Sequence, residues 1–114
     1  MFPQEPNVPQ ISAEEVKSLI DSKEAFTLLD VRTEGEYARG KIEGSINLPL
    51  DQVPEKVEGL LPNKDAKIVV HCLSGSRSVF AVDIMQKMGY KNVVNMTSGL
   101  LAWRANRYTT ITSW

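Results

Sequence analysis

The sequence contains very little cysteine and histidine: one residue of each, Cys72 and His71, in a chain of 114. A single thiol cannot form an internal disulfide. One cysteine and one histidine also fall short of the four ligands of a structural zinc site, so we expect no metal centre and no cofactor. Cys72 is therefore either an inert core residue or a residue whose chemistry needs no second cysteine.

Long apolar runs are absent as well. The longest uninterrupted runs are four residues, at 79–82 and 100–103, whereas a membrane span needs ~20, so we expect no membrane association. The first residues have neither a basic start nor an apolar stretch, which predicts no secretory signal and a cytoplasmic location. No basic patch with interleaved aromatic residues occurs, which argues against nucleic-acid binding.

The charges that are present balance, with 13 basic and 14 acidic side chains, and the hydrophobic fraction of 42% suits one compact soluble domain. The balance hides an asymmetry. Residues 1–65 carry 7 basic and 13 acidic side chains, whereas residues 66–114 carry 6 basic and 1 acidic. A positive field around Cys72 is expected only if folding keeps the basic charges together.

Short apolar runs alternate with amphipathic segments, which predicts an α/β fold around one mostly parallel sheet. The proline-punctuated residues 1–9 are expected to be an extended arm, residues 10–106 the domain, and residues 107–114 a tail that is either an added edge strand or a disordered end. Strands are expected at 25–31, 45–48, 67–71 and 92–96. Helices are expected from the capping box at 12–15 to about 22–23 and at 34–39, 50–59, 78–88 and 100–106.

Cys72 follows an apolar run and precedes a helix expected to begin at Ser78. Ligand sites of open α/β sheets gather at the carboxyl ends of the strands. Loop amides, the helix dipole and the guanidinium of Arg77 all favour a thiolate, so we expect the pKa of Cys72 to lie below the ~8.5 of free cysteine. These features favour a nucleophile over a buried structural thiol, which is the usual state of free cysteine.

The residues after Cys72 predict a small anion-binding cup, because Gly75 permits a tight turn and Ser74 and Ser76 are too small to fill it. Adjacent strand residues point to opposite faces, so His71 is expected to bond to backbone rather than act as a general base. The expected binding residues are Leu73, Ser74, Gly75, Ser76 and Arg77, with Ser78 at the helix N-terminus.

Four segments resemble the rhodanese (sulfurtransferase) family, in the same order. The loop 72–77 resembles the Cys-x-x-Gly-x-Arg pattern of its active site. The segments 29–37, 40–49 and 99–103 resemble its Asp-Val-Arg…Glu-Tyr, Gly-His-Ile-x-Gly-Ala-x-Asn-Ile-Pro and Gly-Gly-x-x-x-Trp segments. Lys41, Ser98 and the tail after Trp103 depart from that pattern.

The resemblance implies a single domain with a five-stranded parallel sheet and helices on both faces. It also implies that Cys72 accepts a sulfane sulfur from a small anionic donor such as thiosulfate and holds it as a persulfide. A thiol, cyanide or a protein acceptor then removes it. Asp30 and Arg32 lie in a matching segment, and we interpret them as structural, with Arg32 pairing to Asp30 or Glu36. The physiological donor and the oligomeric state stay open.

Other functions are alternatives for a chain with a cysteine before a Gly/Ser loop and an arginine. Cysteine phosphatases and arsenate reductases have such cups, but phosphatase loops place five residues between Cys and Arg, whereas this chain has four. A non-catalytic binding module of the same fold typically loses the cysteine. A peroxide-sensing thiol needs a resolving cysteine from an external partner. A persulfide carrier is the alternative nearest to sulfurtransferase.

Overall fold

The computed structural model describes residues 4–112, and its five strands form one sheet. All four pairings between neighbouring strands are parallel, which confirms the predicted α/β class. The strands are β1 (Gln10–Ile11), β2 (Thr27–Asp30), β3 (Ile46–Asn47), β4 (Ile68–His71) and β5 (Val93–Met96). Their order across the sheet is β1-β5-β4-β2-β3, so the Cys72 strand, β4, lies at the centre.

Four α-helices connect the strands and a fifth follows β5: α1 (Ala13–Asp21), α2 (Glu34–Arg39), α3 (Val53–Leu60), α4 (Ser76–Lys87) and α5 (Gly99–Ala105). A 3-10 turn at Leu50–Gln52 precedes α3. The predicted capping box at Ser12 and Glu15 is present, and α2 has a second one, from Thr33 to Glu36. None of the helices among the described residues is long and apolar enough to cross a membrane.

The core lies on both faces of the sheet because successive strand residues point to opposite sides. Leu29 and Val70 pack with buried residues of α3 and α4 on one face. Leu28 and Val69 pack with buried residues of α1 and α5 on the other. Helices therefore cover both faces, as the resemblance implied.

Helix α4 begins at Ser76, two residues before the predicted start at Ser78. Gly75 is the reason: its φ of 101° is a left-handed conformation that glycine adopts without strain, so the chain turns there and becomes helical at once. Ser76 and Arg77, predicted in the loop, thus belong to the first helical turn, and Ser78 is the third residue of the helix.

Strand β1 was not predicted, since it has only two residues next to the proline-rich arm. The arm leads directly into the sheet: the Asn95 amide donates to the Pro9 carbonyl, and Val8 is buried in the core. At the other end, Ile111 forms an antiparallel bridge with Lys41. The described part of the tail therefore adds one bridged residue beside the domain, and residues 113–114 lie outside the described range.

Candidate active site

Cys72 directly follows β4 and is completely buried beneath the first turn of α4. The turn at Gly75 brings the backbone back over the sulfur, and the Gly75 amide donates to Cys72 Sγ at 3.2 Å. The Cys72 thiol lies 3.4 Å from the Ser78 hydroxyl, one turn into the helix. The predicted cup around Cys72 is thus present in the structure.

The surroundings of Cys72 favour its charged form. Burial raises the pKa of this thiol, but the Ser78 hydroxyl and the amides of Ser78, Gly75 and Arg77 lower it by more. The net effect is a pKa below the ordinary value, as predicted. Hydrogen-bond donors that converge on one sulfur suit an anion.

A buried polar chain continues from the Cys72 cup to the sheet edge. The Ser78 hydroxyl donates to Asn95 Oδ1, and Asn95 Nδ2 donates to Gln10 Oε1 at 2.9 Å. Ser78 and Asn95 are buried, with exposures of 0% and 2%. The sequence predictions missed Asn95 and Gln10 because these residues are distant in sequence, although a polar residue in the apolar run 92–96 was a usable signal.

The other predicted loop residues take different positions. Gly75 is buried, Leu73 is half-buried, and Ser74 and Ser76 are exposed, with their hydroxyls 3.3 Å apart. Among these residues of the loop, Gly75 contacts the sulfur directly. Leu73 supports the loop instead, because its carbonyl accepts the Leu101 amide at 3.0 Å.

Arg77 forms a two-point ion pair with Glu36 of α2, with nitrogen–oxygen distances of 2.7 and 3.0 Å. The Arg77 guanidinium lowers the pKa of Glu36 to about 2, and the same pair raises the pKa of Arg77. This pair ties the first turn of α4, and with it the Cys72 loop, to α2. The sequence predictions did not identify Glu36 as the partner of Arg77, because they assigned Glu36 as a possible partner of Arg32.

Asp30 and Arg32 form a separate buried pair beneath α2. Arg32 Nη2 lies 2.7 Å from Asp30 Oδ2, and the Arg32 amide donates to Asp30 Oδ1 at 3.0 Å. His71 turns away from the sulfur, with its Nδ1 3.0 Å from the Cys72 carbonyl oxygen, and burial lowers its pKa. Their predicted structural interpretation therefore agrees with the contacts.

Helix α5 holds the Cys72 loop from the other side. The Leu100 amide donates to the Cys72 carbonyl at 2.9 Å, next to the bond from Leu101 to Leu73. A Cβ on Gly99 would overlap that same Cys72 carbonyl oxygen, so the helix can approach this closely only with glycine there. Through this packing, the segment that begins at Gly99 supports the Cys72 loop.

The scan against family models matches the rhodanese-like domain over residues 12–106. The chain belongs to the rhodanese-like domain family. A rhodanese-related protein from Thermoplasma volcanium has the same fold, with a TM-score of 0.80 and 33% identity over 90% of this chain and 97% of that one. A rhodanese-like domain from an Anabaena species gives a TM-score of 0.85 and 30% identity, covering 91% of this chain and 79% of that one.

Relatives of this rhodanese-like domain have names that describe sulfur transfer. A sulfurtransferase of Allochromatium vinosum is 32% identical over 96 residues, 84% of this chain and 88% of its own. The Bacillus subtilis protein YrkF, whose name describes a sulfur carrier, is 37% identical over 97 residues, 85% of this chain. The match spans about half of YrkF, 51% of its length. These relatives support membership of a sulfurtransferase family.

Proposed function

We propose that this domain transfers a sulfane sulfur from an anionic donor such as thiosulfate to a thiophilic acceptor, through a persulfide on Cys72. The observation that carries the proposal is the convergence of the Gly75 amide and the Ser78 hydroxyl on the Cys72 sulfur. Together with the amides of Arg77 and Ser78, these groups lower the pKa of the thiol and raise the fraction present as nucleophilic thiolate.

In the first step, the Cys72 thiolate attacks the outer sulfur of thiosulfate. A bond forms between Cys72 Sγ and that sulfur, the sulfur–sulfur bond of the donor breaks, and its electron pair leaves with sulfite. The product is an anionic persulfide. The same amides that hold the thiolate are suited to hold this anion, which carries its charge on the added sulfur.

In the second step, an acceptor such as cyanide or a thiolate attacks the outer sulfur of the persulfide. The bond between Cys72 Sγ and that sulfur breaks, and the electron pair returns to Cys72 as thiolate. The two half-reactions form a ping-pong scheme. With a single cysteine in the chain, release requires an acceptor from outside.

Arg77 helps to hold the cup in its reactive shape. Its two-point contact with Glu36 fixes the first turn of α4 relative to α2. Leu73, Ser74 and Ser76 form the remainder of the rim through which donor and acceptor enter.

Intact-protein mass spectrometry after incubation with thiosulfate tests this function. We expect the wild type to gain one sulfur atom, to lose it on addition of cyanide, and Cys72→Ser to gain none. No gain by the wild type with thiosulfate or other sulfane donors would overturn the proposal. Cys72-dependent hydrolysis of an aryl phosphate would instead favour a phosphatase.

A further inference from the structure

A small basic cavity lies beside the Cys72 loop, on the side of α2 and α5. It has a volume of about 210 Å³, and Leu73, the residue after Cys72, forms part of its wall. Four charged side chains also line it, together with Gly40: Arg32, Glu36, Arg39 and Arg104.

Two of the four charges in this cavity are already compensated. Arg32 pairs with Asp30, and Glu36 pairs with Arg77. Arg39 and Arg104 are exposed, and within residues 4–112 neither has a carboxylate within 4.0 Å. The cavity therefore presents two uncompensated guanidinium groups, which suits a carboxylate or a similar anion.

The backbone at Gly40 leaves room for one of these guanidinium groups. A Cβ on Gly40 would lie 2.8 Å from Arg104 Nη2, so the absence of a side chain lets Arg104 lie across the chain at this point. Arg32 Nη2 donates to the Gly40 carbonyl at 2.7 Å, and this bond holds the Gly40 backbone in place at the base of the cavity. Arg39, the last residue of α2, directly precedes Gly40.

The position and size of the cavity indicate which kind of ligand fits it. Thiosulfate is compact, and its negative oxygens are only two bonds away from the sulfur that Cys72 attacks. A ligand whose charged group lies in this cavity, beyond Leu73, needs a carbon chain between that group and its reacting sulfur. The volume is below the ~300–1,000 Å³ of sites that enclose drug-sized ligands, so the cavity suits a small charged group.

We infer that Arg39 and Arg104 bind the carboxylate of a small thiol acceptor while its sulfur attacks the Cys72 persulfide. This inference rests on the proposed function and adds the class of acceptor. The acceptor thiolate forms a bond to the outer sulfur and leaves as a carboxylate-bearing persulfide, and Cys72 recovers its electron pair. The step is an exchange between sulfur atoms and needs no oxidant or reductant.

The test measures discharge of a persulfide preloaded with thiosulfate, using 3-mercaptopropionate as the charged thiol and 2-mercaptoethanol as the neutral one. For Arg39→Gln and Arg104→Gln, we expect the second-order rate with the charged thiol to fall about five- to twenty-fold relative to wild type. With the neutral thiol, we expect a change of less than about two-fold, and loading by thiosulfate should be similarly insensitive. Added salt should shrink the difference between the two thiols.

Two further variants separate a binding site from a general charge effect. Lys91→Gln removes an exposed basic residue just before β5, at the opposite end of the parallel sheet, and should leave both rates unchanged. Gly40→Ala keeps both arginines but displaces the Arg104 guanidinium, and should slow the charged thiol selectively.

Equal effects on the charged and neutral thiols, or no effect of either arginine variant, would overturn this inference alone. Failure of every protein to acquire sulfur, wild type included, would overturn the proposed function and this inference with it.

Discussion

At the scale of single residues, the charge state of Cys72 depends on where one proton points. The Ser78 hydroxyl has a single hydrogen to donate, and both Cys72 Sγ and Asn95 Oδ1 are within its reach. With a neutral thiol, Cys72 donates to Ser78, and Ser78 donates to Asn95. With a thiolate, the Ser78 proton must turn to the sulfur. Asn95 competes for that proton and therefore disfavours the thiolate, whereas the amides of the cup favour it.

Replacing Ser78 by alanine should raise the pKa of Cys72, because the variant loses the strongest of the hydrogen bonds that lower it. The rate of alkylation by iodoacetamide, followed against pH, reports this change as a shift of the profile to higher pH. Ser76→Ala is the matched control, since the side chain of Ser76 contacts Ser74 rather than the sulfur. Identical profiles for Ser78→Ala and wild type would show that backbone amides alone set the pKa.

At the scale of elements, the contact between α5 and the Cys72 loop depends on Gly99. Its φ of 49° and its overlap with the Cys72 carbonyl both disfavour a side chain. We expect Gly99→Ala to lower the free energy of unfolding by about 2–4 kcal/mol, through strain and loss of the bonds from Leu100 and Leu101. Urea unfolding measures the stability, and persulfide formation should fall with it.

The preceding residue provides the control. Ser98 is exposed and adopts a left-handed conformation, with φ of 58°, so Ser98→Gly should stabilise the protein by about 0.5–1 kcal/mol. Destabilisation by Ser98→Gly, or a neutral Gly99→Ala, would contradict the role given to this turn.

The central elements were predictable because their signals are local. β2, β4 and β5 lie in short, mostly apolar runs, and α1 begins at a capping box. β1 was not predictable, because its two residues are a strand only through pairing with β5, more than eighty positions later in the sequence. The start of α4 depended on the left-handed turn at Gly75, which the sequence permits but does not require.

At the scale of the whole molecule, the ion pair between Glu36 and Arg77 links the acidic half of the sequence to the basic half. With a folded-state pKa of about 2 against an ordinary 4.5, ionised Glu36 contributes stability above pH 4.5. That contribution is lost progressively as the pH falls from 4.5 toward 2, because the carboxylate then becomes protonated in the folded state as well.

Glu36→Gln should therefore be less stable than wild type by about 1 kcal/mol at pH 7, a modest value because the pair is partly exposed. The difference should shrink to a fraction of that value near pH 2, where wild-type Glu36 is about half protonated. Urea unfolding between pH 7 and 2 measures it. Glu34→Gln, in the same helical turn, should show a smaller difference, and a pH-independent effect of Glu36→Gln would exclude the ion pair as its cause.

The candidate site was predictable from the sequence to the extent that it lies within one loop. Cys72, Gly75 and Arg77 follow from a strand–loop–helix pattern and the family resemblance. Glu36, Asn95 and the basic cavity were not predictable, because they arise when α2, β5 and α5 converge on that loop. The charge imbalance between the halves did not indicate the cavity, because Arg32 and Arg39 come from the acidic half of the sequence.

The hydrogen bonds that support Cys72 from α5 and β5 also bear on protein synthesis. Ribosomes make the chain from its amino terminus, so Cys72 exists before Asn95, Leu100 and Leu101 have been added. A nascent chain ending between these positions lacks the bonds that hold the Cys72 and Leu73 carbonyls and the Ser78 hydroxyl in place. The Cys72 loop therefore takes its final geometry only after β5 and α5 have packed against it.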